Sequence, residues 1–180
     1  MTIDADKKFF TDIYNRESDS LFRFCFIRVS DRERALDLTQ ESFARLWSAV
    51  AMGRVMEHPR AFLFTVARRL IIDWYRKTKP VSLESMARED GENRGEEFDV
   101  PDEKITLDIE MSADAKRALE MLNNLAPQYR EVIYLRYMEG FSPKDIAEIL
   151  RLNVNVVSVR ITRGMESLRK LMGITENNHE

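Results

Sequence analysis

The residues of this 180-residue chain that could do chemistry are polar side chains at helical spacing. Asp37, Gln40, Glu41 and Arg45 fall at i, i+3, i+4 and i+8, which places them on one face of a helix. Such a face can dock a partner through directional hydrogen bonds and steering charge. It fits equally a solvated surface with an Asp37–Glu41–Arg45 charge ladder. A second run, residues 59–77, mixes Arg60, Arg68, Arg69, Arg76 and Lys77 with Phe64, Trp74 and Tyr75. Cations hold phosphates and exposed rings stack on unpaired bases, so this mixture suits single-stranded nucleic acid. Pairing of Arg69 with Asp73 at i, i+4, and a core role for Trp74, fit the same residues. A third set, Asn155, Val156, Ser158, Val159, Arg160 and Arg163, lies on one long helix near the C-terminus. Asn and Arg bond base edges, and Arg and Ser also hold phosphates.

Catalysis finds little to work with. One cysteine, Cys25, excludes an internal disulfide or a Cys-based zinc cluster, and it sits in an apolar run that suits packing. His58 and His179 are far apart in sequence, so no metal site and no cofactor is expected. No phosphate loop and no nucleophile with a placed base is present, which points away from an enzyme. The start, MTIDADKKFF, lacks a basic segment followed by an apolar one, so no signal peptide is read. The apolar stretches fall short of the roughly 20 residues of a membrane span. A protein of the reducing cytoplasm, with no membrane insertion of its own, is the expectation.

The elements that must position these residues are all helices. Ala35, Leu38, Phe43, Leu46 and Val50 follow helical spacing, with Asp31 placed as an N-cap. Leu63, Val66, Ala67, Leu70 and Trp74 form a stripe in a helix that Pro59 opens. Residues 8–29, with Phe9, Phe10, Ile13, Leu21, Phe24 and Ile27, fit one or two helices more. Near the C-terminus, Ala115, Ala118, Leu119, Leu122 and Leu125 predict one helix and Pro127 opens another, closed by Gly140. Ser142, Pro143 and Asp145 form a start signal close to a capping box, and Asn153 is placed to cap the last helix. A short helix, a tight turn at Arg151 and Leu152, and a long helix make a helix-turn-helix, whose second helix enters a DNA major groove; a plain helical bundle has the same look.

Charge divides the chain further. The net −3 argues at first against a nucleic-acid binder, for which a basic domain is the usual footprint. Residues 1–79 hold 15 Lys and Arg against 11 Asp and Glu, a net +4. Residues 80–112 hold 3 against 11, a net −8, and residues 113–180 hold 10 against 9, a net +1. The expected organisation is all-α: a helical bundle over 1–79, a flexible acidic linker over 80–112, and a four-helix domain with the helix-turn-helix over 113–180.

Three stretches, in order, resemble one family. DLTQESFARLW (residues 37–47) looks like the core-polymerase-binding helix of bacterial sigma factors, and PRAFLFTVARRLIIDWYRK (59–77) resembles their promoter-melting helix. LAPQYREV (125–132), LRYMEGFS (135–142) and DIA (145–147) resemble their C-terminal domain. The branch is the extracytoplasmic-function (ECF) group, which keeps regions two and four, and the likeness spans about residues 9–78 and 113–172.

The resemblance implies that Asp37, Gln40, Glu41 and Arg45 bind core RNA polymerase. It implies that Arg54, Arg60, Arg68, Arg69, Tyr75, Arg76 and Lys77 meet the minus-ten element, with loop 51–58 capturing a flipped base. It implies that Asn153, Asn155, Ser158, Arg160 and Arg163 meet the minus-thirty-five element in promoter DNA. An anti-sigma factor is implied as a further partner. The chain departs from the family pattern at two places: Arg151 stands where the turn usually has Gly, and Ser158 where the recognition helix usually has Lys. A stand-alone helix-turn-helix regulator binding duplex DNA as a dimer is the alternative reading. A sigma mimic that sequesters an anti-sigma factor is a third.

Overall fold

The computed structural model describes residues 3–78 and 112–173; the acidic linker expected over 80–112 lies almost entirely outside them. The chain divides into two compact units, Met1–Pro101 and Asp102–Glu180. Every regular element among the described residues is a helix.

Unit one is built from α1 (Ile3–Val29), α2 (Arg32–Ala51) and α3 (Pro59–Thr78), each packed on the other two. The stretch expected to hold one or two helices is one continuous helix of 27 residues, because neither Gly nor Pro interrupts it. It stops at Ser30, whose backbone turns left-handed at φ 56°. Asp31 then caps α2 by accepting the Arg34 amide at 3.0 Å, as its position before the apolar stripe predicts. Leu21, Phe24, Ile27, Leu46, Leu63 and Ile71 are fully enclosed, and the Phe24 and Phe64 rings meet at 4.8 Å.

The third helix buries more than the predicted stripe. Phe64, Arg68, Ile71 and Tyr75, at i, i+4, i+7 and i+11, are all buried, while Leu70 and Trp74 are half-exposed. A helix wedged between two others needs a wider enclosed sector than one flank supplies. Periodicity alone therefore picks out only part of it.

Unit two comprises α4 (Ala113–Asn123), α5 (Pro127–Ile133) running into a π-helical stretch (Tyr134–Met138), α6 (Pro143–Leu150) and α7 (Val154–Leu171). Leu125, expected on the first of these, lies in the α4–α5 turn, where it is buried. The π stretch is carried by the Glu139 amide donating to the Tyr134 carbonyl, and the Tyr134 hydroxyl donates to the Glu139 carboxylate at 2.8 Å. Gly140 ends the stretch at φ +74°, the conformation a C′ glycine supplies.

The turn chemistry follows the sequence. Ser142 and Asp145 form a complete capping box at the start of α6. Arg151 takes the left-handed conformation, φ 56° and ψ 43°, in the place where Gly would be unstrained. The Asn153 side chain caps α7 by accepting the Asn155 amide at 2.9 Å. Gly164 brings α7 close to α5: a Cβ there would stand 2.9 Å from Cγ1 of Ile133.

Unit two also contains a buried cation. The Arg130 guanidinium donates to the carbonyls of Leu122 at 3.2 Å, Asn123 at 3.3 Å and Leu125 at 2.9 Å. These carbonyls lie at or just past the end of α4, where helix geometry leaves acceptors without partners. Arg130 therefore satisfies the α4 C-terminus and fixes the α4–α5 corner.

Candidate docking and nucleic-acid interfaces

Asp37, Gln40, Glu41 and Arg45 are all exposed along one side of α2. Arg45 Nε donates to Glu41 Oε1 at 2.9 Å, and Arg34 approaches Asp37 at 3.9 Å. These are solvent-exposed pairs that order the face without contributing much stability. The face borders a shallow groove of about 430 Å³ lined by Arg34, Asp37, Leu38, Gln40, Glu41, Ala44 and Leu70. The sequence pattern assigns Arg34 and Ala44 no role, and it places Leu70 on the apolar stripe of α3 rather than on this face. Arg34 sits three residues before Asp37, so the same helical spacing contains it. Leu70 comes from α3, which only the tertiary fold brings alongside.

The basic set on α3 divides. Arg69, Arg76 and Lys77 are exposed, as is Arg54 in the loop before α3. Arg68 and Tyr75 are interior, 7% and 5% exposed. Tyr75 donates its hydroxyl to the Arg28 carbonyl, tying the end of α3 to the last turn of α1. Arg60 is partly buried and donates through Nε to Oε2 of Glu17 at 2.6 Å, with Ser20 Oγ 3.5 Å from its Nη2. Glu17 is itself 5% exposed and accepts from Arg16 at 3.0 Å. In the free chain Arg60 and Tyr75 thus bond within the unit, and Arg68 is enclosed in it. Met52 and Val55 in the preceding loop are both 85% exposed, so that loop presents apolar as well as basic groups.

On α7, Asn155, Ser158 and Arg163 are exposed and Arg160 is half-buried. The exposed Asn153 caps the helix, and Ser158 returns its hydroxyl to the Val154 carbonyl at 3.0 Å. A groove of about 370 Å³ runs along this face, lined by Gln128, Tyr129, Asn155, Val156, Val159, Arg160 and Arg163. Gln128 and Tyr129 come from the first turn of α5 and were not marked by the sequence pattern.

Cys25 is fully enclosed, and burial pushes its thiol up to about 11; the Thr39 hydroxyl and the charge of Arg28 pull weakly the other way. No group of three or more His, Cys, Asp or Glu among the described residues could hold a metal ion. No helix among them is long and apolar enough to cross a membrane.

Known proteins agree with this layout. Residues 13–81 match the Sigma-70 region 2 model and residues 115–168 match Sigma-70, region 4. The ECF RNA polymerase sigma factor SigW of Bacillus subtilis (strain 168) is 31% identical over 173 residues, covering 92% of this chain and 90% of that protein. The chain belongs to the ECF RNA polymerase sigma factor family. A second ECF sigma factor from the same strain, SigX, is 27% identical, over 89% of this chain and 81% of its own. Among solved structures, the sigma factor RpoE in complex with the anti-sigma factor NepR from Bartonella quintana shares the fold, with a TM-score of 0.64 at 23% identity over 94% of this chain and 99% of that one. CnrH in complex with the cytosolic domain of CnrY gives a TM-score of 0.59 at 21% identity, over 93% and 89% of the two chains. Sigma factors are DNA-binding transcription factors and not enzymes. The match to region 2 takes in α2 and α3, and the match to region 4 takes in the helix-turn-helix of α6 and α7.

Proposed function

We propose that this ECF sigma factor gives bacterial RNA polymerase its promoter specificity through two separate faces. Unit one docks on core polymerase through Asp37, Gln40, Glu41 and Arg45, and opens the minus-ten element with loop 51–58 and the outer side of α3. Unit two reads the minus-thirty-five element through α7. Residues 1–79, 80–112 and 113–180 then serve as the region-two domain, the acidic linker and the region-four domain. The exposed side of α2, which carries Asp37, Gln40, Glu41 and Arg45 of the DLTQESFARLW string while Thr39 and Ser42 turn inward, is the observation that supports this most.

The DNA-facing set is narrower in this proposal than the sequence pattern suggests. Arg54, Arg69, Arg76 and Lys77 grip phosphates near the minus-ten element. Arg60, Arg68 and Tyr75 position the helix that carries them. On α7, Asn155, Arg160 and Arg163 face the major groove, while Asn153 and Ser158 act first on the helix backbone. An anti-sigma factor covering these faces is the proposed means of control, by analogy with RpoE and CnrH, whose structures were solved with NepR and CnrY. The proposed compartment is the cytoplasm, where the polymerase works. A stand-alone dimeric regulator leaves the α2 face without a role.

Run-off transcription with core polymerase, with and without the chain, tests this on promoters selected by genomic mapping. Promoter-dependent transcripts that need the chain are expected. Transcripts that do not change on its addition overturn the proposal.

A further inference from the structure

The groove on α7 contains an apolar element that neither phosphate binding nor hydrogen-bonded base reading explains. Val159 is 48% exposed and stands among Asn155, Arg160 and Arg163 on the lining of the groove. Val156, half-buried, lies one turn earlier on the same lining. A single exposed apolar residue is ordinary on a protein surface. This one is bracketed by cations and an amide on the face that would meet a major groove, and it is β-branched, so its methyls hold one orientation on a helix. Of the four bases, only thymine offers an apolar group in the major groove, its C5 methyl. Arg and Asn have polar partners on guanine and adenine, whereas a valine has a matching partner only in that methyl.

We infer that Val159 is a specificity-determining residue that reads a thymine methyl in the minus-thirty-five element, with Arg160 and Arg163 holding the flanking backbone or base edges. This rests on the reading of α7 as the minus-thirty-five reader. The side chain of Ser158, on the neighbouring turn position, is bonded to the Val154 carbonyl and lies off the groove lining. Val156, the other valine of that lining, is half-buried, so the exposed apolar contact falls to Val159. Removing one buried methyl contact corresponds to about a fourfold loss of affinity.

The experiment uses holoenzyme and promoter duplexes in which each thymine of the minus-thirty-five element is replaced in turn by deoxyuridine, which deletes only the methyl. A duplex with that element scrambled runs alongside. With the native chain, one or two replacements are expected to lower affinity about fourfold. With Val159→Ala those positions become indifferent to the methyl, while Val154→Ala, an exposed valine off the groove lining, keeps the native response. Ala is well tolerated on an exposed helix face, so both variants are expected to fold.

If scrambling lowers affinity but no deoxyuridine effect disappears in Val159→Ala, the methyl reading is overturned while α7 remains the reader. If the effect disappears in Val154→Ala instead, Val159 is the wrong residue. If scrambling changes nothing, the reading of α7 fails, and the inference fails with it.

Discussion

The two long helices marked by the sequence as nucleic-acid faces, α3 and α7, put their polar residues to different use. On α3, Arg68 and Tyr75 are buried and Arg60 is committed to Glu17, so much of the basic-aromatic pattern serves cohesion. On α7, the Asn and Arg residues of the pattern line an open groove. The cause is packing. The α3 helix is wedged between α1 and α2, so polar groups on its second flank are enclosed and must find partners inside. The α7 helix turns one long flank to α5 and α6 and leaves the rest outside. A cation on a helix is therefore a ligand-binding signal only where its own flank is left outside, as for Arg69, Arg76 and Lys77 on α3.

The sharpest way to extend that contrast is to remove a cation whose role is wholly internal. Arg130→Met removes the guanidinium that donates to the Leu122, Asn123 and Leu125 carbonyls and is expected to destabilise unit two by about 3 kcal/mol. Amide hydrogen exchange in α4 and α5 of the full chain should speed up accordingly, with α1 to α3 unchanged. Arg130→Lys should not restore protection, since an ammonium cannot reach three carbonyls in the fork geometry of a guanidinium. Protection in α4 that matches the native chain would show that the corner holds without Arg130.

A second difference between the units is acid–base. Cys25, the chain's one cysteine, titrates near 11 in folded unit one against an ordinary value of 9.0. The unfolded chain loses this proton first, so over that window the unfolded state binds fewer protons and stability falls as pH rises. The contribution is complete below about pH 9 and is lost by about pH 11, at roughly 1.4 kcal/mol per unit of pKa difference. Trp47 and Trp74, the only tryptophans, both lie in unit one, so urea unfolding followed by their fluorescence isolates it. The decline should appear in the native chain and be missing from Cys25→Ala. Equal alkaline slopes for the two chains would assign the decline to other groups.

What was legible in the sequence was local. The Asp31, Ser142 and Asn153 caps and the Gly140 stop each depend on a few neighbouring residues, and each stands where the pattern put it. The polar face of α2 was legible for the same reason, because one helix carries all of it. What escaped was tertiary. Glu17 and Arg60 are 43 residues apart, and nothing in the spacing of either announces the other. The burial of Arg68 became visible only once α3 had neighbours on two sides. The π stretch at Tyr134–Met138 has a sequence that reads as ordinary helix, yet the Glu139 amide reaches back five residues to the Tyr134 carbonyl, a bond the ordinary α-helix does not make.

Tyr75 and Arg163 bring the comparison to single atoms. Tyr75→Phe removes the hydroxyl that meets the Arg28 carbonyl and should cost unit one about 1 kcal/mol by tryptophan fluorescence. It should leave the salt dependence of promoter binding unchanged. Arg163→Ala should do the reverse: stability within about 0.5 kcal/mol, and the slope of log affinity against log salt shallower by about 0.9 if one phosphate contact is lost. A shallower slope with Tyr75→Phe would move that residue from the interior role to the DNA-facing one.

The smallest expected effect falls on the face proposed to matter most for docking. Glu41 and Arg45 pair at 2.9 Å with side chains about half exposed, 50% and 49%. Exposed i, i+4 pairs on helices contribute about 0.3–0.5 kcal/mol. A double-mutant cycle of Glu41→Ala and Arg45→Ala should therefore give a coupling energy of that size in urea unfolding, shrinking as salt rises. Affinity for core polymerase should respond far more strongly than stability to Glu41→Ala or to Gln40→Ala, because a docking face loses its bonds to the partner when its side chains are cut back, while the fold loses almost nothing. If polymerase affinity falls only in step with stability, this side of α2 is a solvated surface, and its charges do no more than decorate the helix.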